Sequence, residues 1–434
     1  MRFLLTTLGS LGDLHPYLSI GSELLARGHE VVVATSPGYR ERVEGLGIEF
    51  APLGPDLPDP ELDAEIMVKA MDARRGTQYV IREWMLPHLR TMFVETQAAA
   101  EGCDAFVSHP LTLATKLVAE LRGIPLASVA IAPVAFFSAY DPPVLPFPWP
   151  FNWISQLGPP GVRMTRWVAN SMVHRWLREY QKLRHELKLP PSNENPVLTD
   201  PQSKTLVLAL FSPLFARPQA DWPVKTVQTG FPFHDESHLG SLAEPMEAFL
   251  SAGEPPLIFT LGSAAVRIAG DFYETSQEVA VRLGKRAIFL VGPLAGNAPS
   301  RVDPSHLVVE YAPFAALLPR GLMTIHQGGI GTTGQALRSG RPMLVVPFAH
   351  DQPDNATRIT RMGVGNWIPR RSYNVARATK LISRILDTPS CFEKAALVGQ
   401  QIGQERGAIA AALTLEEWAG ATITSAGRPD RSRI

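Results

Sequence analysis

The sequence is poor in several features that would indicate particular classes of protein. Its two cysteines, Cys103 and Cys391, are too few and too far apart for a disulfide framework or a zinc site, and they fit a reducing compartment. Basic and acidic residues number 41 each, so no bulk charge favours binding to nucleic acid or to an anionic membrane. The longest apolar stretch, residues 126–137, is interrupted by Pro133 and is too short to cross a bilayer.

A convincing signal peptide is also lacking, because the apolar run at residues 3–8 is short and leads into a loop with glycine and aspartate. What is present describes an ordinary globular protein, with 45% hydrophobic and 19% charged residues. We therefore expect a cytoplasmic protein without integral membrane association, for which peripheral membrane contact stays open.

The pattern of apolar residues predicts two consecutive α/β series. Residues 2–8 predict a buried strand, residues 16–27 a helix and residues 30–35 the next strand, which together form a βαβ unit with a right-handed crossover. A second series starts near residue 256. A chain of 434 residues is also too long for one ordinary core. The expected fold is α/β, with two facing Rossmann-like domains and a ligand cleft at the carboxyl ends of their strands.

The predicted domain limits follow from this pattern. We expect an N-terminal domain at 1–231, whose last strand is at 206–211, and a linker region at 232–255. A C-terminal domain at 256–424 includes the C-terminal helices, and the polar tail at 425–434 is expected to be disordered.

A glycine-rich segment, His326-Gln-Gly-Gly-Ile-Gly331-Thr-Thr, lies where a strand is predicted to pass into a helix. The N–H groups and the positive dipole end of such a helix suit a phosphate. An ordinary strand–helix turn would also carry glycines, so the segment alone leaves the two interpretations even. Asp351-Gln352, after a further strand, suits the hydroxyls of a sugar and favours a nucleotide-sugar site. The residues expected at the diphosphate are His326, Gly328, Gly329, Gly331 and Thr332.

The order of these motifs resembles the donor-binding signature of the family 1 glycosyltransferases, which have the GT-B fold. The resemblance runs from Tyr311-Ala-Pro313 through the glycine-rich segment to Asp351-Gln352-x-x-Asn355, and Gly9-Ser-x-Gly-Asp13-x-x-Pro16 is similar as well. Within the family the chain resembles the bacterial branch that includes the rhamnolipid rhamnosyltransferase catalytic subunit and the sterol-type UDP-glycosyltransferases, through Ala220-Asp-Trp-Pro223 and Thr229-Gly-Phe-Pro232.

The resemblance implies an inverting transfer of a hexose from a nucleoside-diphosphate sugar. Tyr311 stands where many relatives have tryptophan, and Gln335 lies near a position where many have a ribose-binding glutamate. Gln352 favours UDP-glucose, and dTDP-rhamnose is an alternative donor. Beyond the glycine-rich segment, the implied donor-binding residues are Ser10, Gly12, Ser263, Tyr311, Ala312, Phe314, Gln335, Asp351 and Gln352.

Asp13 is the implied general base, because it holds the position where many relatives have a catalytic histidine. An aspartate with an ordinary pKa is a weak base, so burial or a partner must assist it. His109, after the strand at 105–108, matches the place where plant relatives have the partner of that histidine, and we predict an Asp13–His109 pair that shares one proton. The alternatives are that Asp13 caps the helix near Pro16 and that His109 is bonded to backbone.

An apolar, hydroxylated acceptor is expected beside the N-terminal domain. The candidate acceptor residues are His15, Phe136, Tyr140 and Trp149, although each aromatic residue alone is more often part of a core. No Asp-x-Asp follows a strand, so we expect no metal and no cofactor beyond the nucleotide-sugar co-substrate. A nucleotide-sugar 2-epimerase and a non-catalytic subunit with the same fold are the competing hypotheses.

Overall fold

The computed structural model describes residues 1–56, 64–145, 151–155, 157–198, 202–235 and 242–426. Within those ranges the strands are β1 (Arg2–Thr6), β2 (Glu30–Thr35), β3 (Glu49–Pro52), β4 (Ala105–Ser108), β5 (Leu126–Ala130), β6 (Val207–Ala209), β7 (Thr226–Gln228), β8 (Leu257–Thr260), β9 (Ala287–Leu290), β10 (His306–Val309), β11 (Met323–His326), β12 (Met343–Val345) and β13 (Gly365–Trp367).

The α-helices in the same ranges are α1 (Leu11–Ala26), α2 (Arg40–Glu44), α3 (Ala64–Ala70), α4 (Gly76–Tyr79), α5 (Leu89–Ala99), α6 (Leu113–Arg122), α7 (Phe151–Ser155), α8 (Pro159–His174), α9 (Arg178–Glu186), α10 (Glu244–Ser251), α11 (Gly262–Ala265), α12 (Phe272–Arg282), α13 (Phe314–Leu317), α14 (Ile330–Arg338), α15 (Gln352–Met362), α16 (Val375–Leu386), α17 (Pro389–Gln404) and α18 (Gly407–Ala426).

These strands form two separate parallel sheets. The first has the order β3-β2-β1-β4-β5-β6-β7 and the second has the order β10-β9-β8-β11-β12-β13. In both sheets the strand order reverses beside the first strand, at the neighbours β1–β4 and β8–β11. This switch point opens a crevice at the carboxyl ends of the strands, where doubly wound sheets bind ligands. The predicted fold class is confirmed.

Both sheets are covered by helices, which explains why their strands are continuous apolar runs rather than alternating ones. The central strands β4, β8, β9 and β11 are buried along their whole length. The sheet edges contain strands that the apolar pattern did not predict. β7 follows the strand that we expected to be the last of the first domain, and β13 adds an edge strand to the second. Both have three residues, too few for a clear periodic signal.

The region at 232–255 is more than a linker, because it contains α10. Met246 and Leu250 of this helix are buried in an apolar cluster that also holds Ile258 of the second sheet. The predicted tail at 425–434 begins inside α18, and residues 427–434 lie outside the described residues.

The last helix belongs spatially to the first domain, which corrects its assignment to the second. Ala411, Leu415 and Ala419 of α18 are fully buried against the helix α1 side of the first sheet. Arg27 and Glu416 form an ion pair at 2.5 Å between the same two helices. A helix in the far C-terminal sequence gives no sign of which sheet its apolar face covers, so the periodicity could not show this return.

The chain therefore crosses between the domains twice, and the two crossings touch. Ser212 donates a hydrogen bond to Glu405 at 2.5 Å. A Cβ atom at Gly407 would lie 2.4 Å from the carbonyl oxygen of Phe231, so only glycine permits the close approach of these two backbones. The crossing segments are thus held side by side at Phe231 and Gly407.

A buried ion-pair network also joins the domains. Arg358 of α15 bonds Asp354 at 2.8 Å on its own helix and Asp141 of the first domain at 2.5 Å. Asp354 accepts a further hydrogen bond, at 3.0 Å, from the backbone N–H of Val144. Arg361 reaches Asp141 at 3.1 Å from an exposed position. The loop at 138–145 is thereby fixed to the helix that follows Asp351.

Replacing Arg358 by leucine should destabilise the protein by about 3–5 kcal/mol, because the buried Asp354 carboxylate would lose its cation. The matched control is Arg361→Leu, which removes an exposed partner of the same Asp141 and should cost less than about 1 kcal/mol. Urea unfolding followed by tryptophan fluorescence measures both. Equal losses of stability in the two variants would show that the buried network does not hold the domains together.

Candidate active site

Two helix N-termini meet in the cleft, one from each domain. Gly12 is the second residue of α1 and Gly331 is the second residue of α14. A Cβ atom at Gly331 would lie 3.6 Å from the Cα atom of Gly12, so the two turns are in contact. Each helix start carries N–H groups without intrahelical partners and the positive end of a dipole. Their convergence suits a group with two or more negative charges, such as a diphosphate.

The glycine-rich turn is held by a hydrogen bond to the side chain of His326, at the end of β11. The imidazole is fully buried, and its Nδ1 accepts a hydrogen bond from the N–H of Gly328 at 3.1 Å. Its Nε2 faces the sulfur of Met343 at 3.4 Å. Burial lowers the pKa of His326 to about 3, so the ring is neutral. The structure therefore contradicts the predicted contact of His326 with a phosphate oxygen and gives the ring a supporting position instead.

Gln327, which the sequence reasoning passed over, joins the two neighbouring turns of the second sheet. Its Nε2 donates to the hydroxyl of Thr332 at 3.3 Å. The same nitrogen would be 2.4 Å from a Cβ atom at Gly262, which has a φ of +62° and precedes Ser263. Strands β8 and β11 are adjacent, so Ser263 and Thr332 follow from neighbouring strand ends, as predicted for residues that flank one diphosphate. The only sign in the sequence was the place of Gln327 between His326 and Gly328.

Asn355 ties the glycine-rich turn to the predicted sugar-binding carboxylate. Its fully buried amide donates to the carbonyl of Gly328 at 2.8 Å and to Asp351 Oδ2 at 2.7 Å. Gln352 begins α15, and its Oε1 accepts hydrogen bonds from the backbone of residues 348 and 349 at 2.7 and 3.1 Å. Only the Nε2 end of Gln352 is therefore left for a sugar hydroxyl. The spacing of Asn355, four residues after Asp351 on one helix face, was the signal for its position.

Asp13 is held by the start of α1 and by His109. Its Oδ2 accepts from the backbone N–H of Ser10 at 2.8 Å and from the Ser10 hydroxyl at 3.1 Å. Its Oδ1 lies 3.4 Å from His109 Nε2. The Nδ1 of His109 accepts from the N–H of Leu111 at 3.2 Å, which places the ring proton on Nε2, facing Asp13. The structure thus brings the predicted pair together, and the capping contact that we considered as the alternative is present as well.

The pKa values of the two cleft carboxylates, Asp13 and Asp351, are shifted in opposite directions. Burial raises the pKa of Asp351 to about 7, and the nearby charge of Asp13 contributes to this shift. Burial also acts to raise the pKa of Asp13, but the contacts with His109 and Ser10 outweigh it and hold that pKa below its usual value. Asp13 is therefore ionised at neutral pH. The charge of Asp13 thus acts on Asp351, which belongs to the other domain.

The predicted nucleobase and ribose residues lie at the edge of the second domain. The ring of Tyr311 is half exposed and follows β10, as a stacking surface requires, whereas Ala312 is buried. Phe314 begins α13 and packs partly against the apolar cluster below. Gln335 of α14 already accepts a hydrogen bond from Arg338 at 2.8 Å. Contact of these residues with base and ribose stays a prediction.

The predicted acceptor residues have different outcomes. The prediction that Phe136 contacts the acceptor is wrong, because its ring stacks on that of Trp222 at 4.2 Å between ring centres and is buried in the core. Tyr140 is 54% exposed, next to the loop that is fixed to α15. His15 lies in the first turns of α1, with its ring 5.1 Å from that of His234, and burial together with His234 lowers its pKa to about 3. Trp149 lies outside the described residues.

Two negative findings within the described residues concern metal sites and membrane-spanning helices. No group of three or more His, Cys, Asp or Glu side chains in those ranges is arranged to hold a metal ion. Nor does any helix within them combine the length and apolar character that spanning a bilayer requires.

Comparison with known proteins agrees with this site. Residues 3–133 match the glycosyltransferase family 28 N-terminal domain, and residues 275–406 match the C-terminal domain of proteins like erythromycin biosynthesis protein CIII. The chain is 31% identical to O-mycaminosyltylonolide 6-deoxyallosyltransferase of Streptomyces fradiae, over 98% of this chain and 99% of that one. It is 30% identical to vancomycin aglycone glucosyltransferase of Amycolatopsis orientalis, over 96% and 97% of the two chains.

Solved structures show the same architecture. The spinosyn forosaminyltransferase SpnP aligns with a TM-score of 0.69 at 20% identity, over 97% of this chain and 99% of its own. The glycosyltransferase VinC, solved in complex with dTDP, aligns with a TM-score of 0.67 at 18% identity, over 97% and 100%. Two facing parallel-sheet domains with this cleft define the GT-B class of sugar transferases. The chain belongs to the family 1 glycosyltransferases, and it is a hexosyltransferase that uses a nucleotide-sugar donor. The predicted family is confirmed.

The raised pKa of Asp351 gives a testable dependence of stability on pH. The carboxyl has a higher pKa folded than unfolded, so its ionisation costs stability as pH rises from about 4 through about 7. Asp351→Asn removes that cost while keeping the size of the side chain. Without ligand, its melting temperature should exceed that of the wild type by more at about pH 8 than at about pH 5. Differential scanning fluorimetry measures the difference, and a gap that does not change with pH would contradict the assignment.

Proposed function

We propose that this glycosyltransferase moves a hexose, with inversion, from a nucleoside-diphosphate sugar to a hydroxyl of an apolar small-molecule or lipid acceptor. UDP-glucose is the favoured donor. The observation that carries the proposal is the placement of Asp13 opposite the unit formed by the glycine-rich turn, Asn355 and Asp351. One wall of the cleft offers a base, and the other offers groups suited to a diphosphate and to sugar hydroxyls.

The donor would lie along the second domain. Its diphosphate would bind at the start of α14, beside Thr332 and Ser263, and its hexose would extend towards Asp351 and the amide nitrogen of Gln352. The hydrogen bond of Asn355 to both Gly328 and Asp351 supports this arrangement, because it sets the distance between the two binding groups. The sugar hydroxyls would donate to Asp351, which favours its ionised form once the donor is bound.

The chemistry then needs a proton acceptor on the side opposite the diphosphate. The acceptor oxygen forms a bond to the anomeric carbon as the bond between that carbon and the phosphate oxygen breaks. The diphosphate leaves with the bonding electron pair, and Asp13 takes the proton of the hydroxyl. The start of α14 would stabilise the charge of the leaving diphosphate without reorganisation, as a fixed dipole does. The reaction as proposed uses no metal ion.

His109 would act through Asp13. Its Nε2–H faces the carboxylate and helps to keep it ionised, and it would keep Oδ1 aimed while the acceptor binds. A carboxylate with a low pKa is a weak base, so the proton would move late, when bond formation has made the hydroxyl acidic. This division of roles makes Asp13 the catalytic residue and His109 its positioning partner.

The names of the relatives favour transfer to a natural product or a sterol. They include a deoxyallosyltransferase, a vancomycin aglycone glucosyltransferase and a sterol 3-beta-glucosyltransferase of Yarrowia lipolytica, which is 28% identical over 95% of this chain and 28% of its own length. Deoxysugar transfer among them keeps a dTDP-deoxyhexose such as dTDP-rhamnose as the alternative donor. A 2-epimerase activity finds no support in these names.

Asp13→Asn should lower the rate of transfer by about 10²–10⁴-fold, because the amide cannot accept the hydroxyl proton. Donor binding should largely persist, since apart from Ser10 and Gly12 the predicted donor-binding residues lie on the other domain. The donor is first identified by thermal shift with UDP-glucose, dTDP-glucose and dTDP-rhamnose, because a ligand of the folded state raises the melting temperature. Transfer is then assayed in EDTA by product analysis.

Three outcomes would count against the proposal. Turnover of Asp13→Asn near the wild-type rate would remove Asp13 as the base. An altered nucleotide-sugar in place of a glycoside would indicate an epimerase. A requirement for added Mg²⁺ would contradict the metal-independent mechanism.

His109→Leu should move the acid limb of kcat/KM to higher pH. The carboxylate of Asp13 would keep its burial, which raises its pKa, and lose the contact with His109, which lowers it. Asp13 would then become protonated, and inactive as a base, at a higher pH than in the wild type. The matched control is His109→Gln, whose amide can replace the Nε2 donor and should keep the limb near its original position. Identical pH profiles for the wild type and His109→Leu would rule out the pair.

A further inference from the structure

His350, directly before Asp351, has an unusual backbone. Its φ is +56°, in the left-handed region, which it shares among the described non-glycine residues with Phe137 and Lys188. Such a conformation costs an L-residue roughly 1–2 kcal/mol, so it persists only where the surroundings require it. The loop after β12 thus holds a strained residue at the predicted sugar-binding position.

The side chain of His350 is held by the other domain. Its Nδ1 lies 3.0 Å from the hydroxyl of Thr77, and the ring also hydrogen-bonds the backbone of Ala70. Gly76 approaches so closely that a Cβ atom there would be 3.5 Å from the ring and 2.2 Å from the Ala70 carbonyl oxygen. The turn formed by residues 70–77 therefore surrounds one edge of the imidazole.

This turn belongs to a segment, residues 64–79, that reaches from the first domain to the second. Helix α3 in this segment lies against residues 266–268. Met71 is 6% exposed and is buried in the apolar cluster of the second domain, with Leu261 and Val266. The segment is thus packed on the donor-binding domain while being part of the chain of the acceptor-binding domain.

His350 also lies near both carboxylates. It precedes Asp351 in the chain, and the charge of Asp13 acts on its ring, although burial has the larger effect and leaves the pKa of His350 below its usual value. A neutral imidazole therefore precedes the predicted sugar carboxylate in the chain and contacts segment 64–79 at Thr77. None of the roles assigned above uses it.

We propose that His350 is a positioning residue that fixes segment 64–79 over the sugar end of the donor site and so keeps water from the anomeric carbon. The inference rests on the proposed function, because it concerns the choice between two nucleophiles at that site. With the segment in place, the acceptor hydroxyl is the nucleophile. With the segment released, water attacks the anomeric carbon and gives a proton to Asp13. The carbon–oxygen bond to the diphosphate breaks, its electron pair leaves with the diphosphate, and free sugar and nucleoside diphosphate form.

The experiment compares transfer with hydrolysis of the same donor. His350→Gly removes the ring and also relieves the backbone strain, and its melting temperature shows whether the variant folds as the wild type does. Thr77→Val removes the hydroxyl partner at nearly constant volume. Thr77→Ser, which keeps the hydroxyl, is the matched control. For each variant the rates of glycoside formation and of donor hydrolysis are measured at saturating donor, together with the melting temperature.

We expect the ratio of transfer to hydrolysis to fall about tenfold in His350→Gly and in Thr77→Val, as for the loss of one hydrogen bond at a closed site. The double variant should be no worse than either single one, because both changes remove the same contact. Thr77→Ser should keep the wild-type ratio. The melting temperature of His350→Gly should not fall below that of the wild type.

An unchanged ratio in both His350→Gly and Thr77→Val would overturn the inference, as would additive losses in the double variant. A fall in Thr77→Ser equal to that in Thr77→Val would also overturn it. If the wild type neither transfers nor hydrolyses any of the three donors, the proposed function itself fails. The two failures are therefore distinct.

Discussion

The site depends on one close approach, that of Gly12 to Gly331. The two helices that start there flank different sheets, and their first turns lie close together, because a Cβ atom at Gly331 would be 3.6 Å from the Cα atom of Gly12. The contact brings the loop that carries Asp13 to the turn that is suited to a diphosphate.

Polar contacts also give different pKa values to Asp13 and Asp351, two aspartates of the same cleft. Asp13 has several donors around it and stays ionised, whereas Asp351 has one amide partner and the charge of Asp13 nearby, so its proton is held to near neutral pH. Without a ligand, ionisation of Asp351 is thus unfavourable. Hydroxyl groups of a ligand favour it, which links stability in the absence of ligand to affinity in its presence.

Much of this organisation could be predicted from the sequence, because it rests on local patterns. Buried parallel strands appear as apolar runs, and the helix starts carry glycine, so both sheets and the pairing of Asp13 with His109 were foreseen. The predictions that the structure contradicts concern what a side chain packs against. His326 and Phe136 were assigned to ligands, yet one supports the turn and the other stacks on Trp222. Gln327 and Asn355 were missed, since their roles lie in contacts between turns.

The return of α18 to the first domain has a consequence for how the enzyme can be divided. The two chain segments that cross between the domains lie against each other at Phe231 and Gly407, so together they form one hinge between the domains. Such a hinge favours rotation of the domains over sliding. A chimera that exchanges donor specificity with a relative would therefore have to splice both crossings and leave residues 407–426 with the first domain. The second domain, where we propose that the donor binds, is an insertion between two parts of the first domain, although in the linear sequence it resembles a C-terminal half.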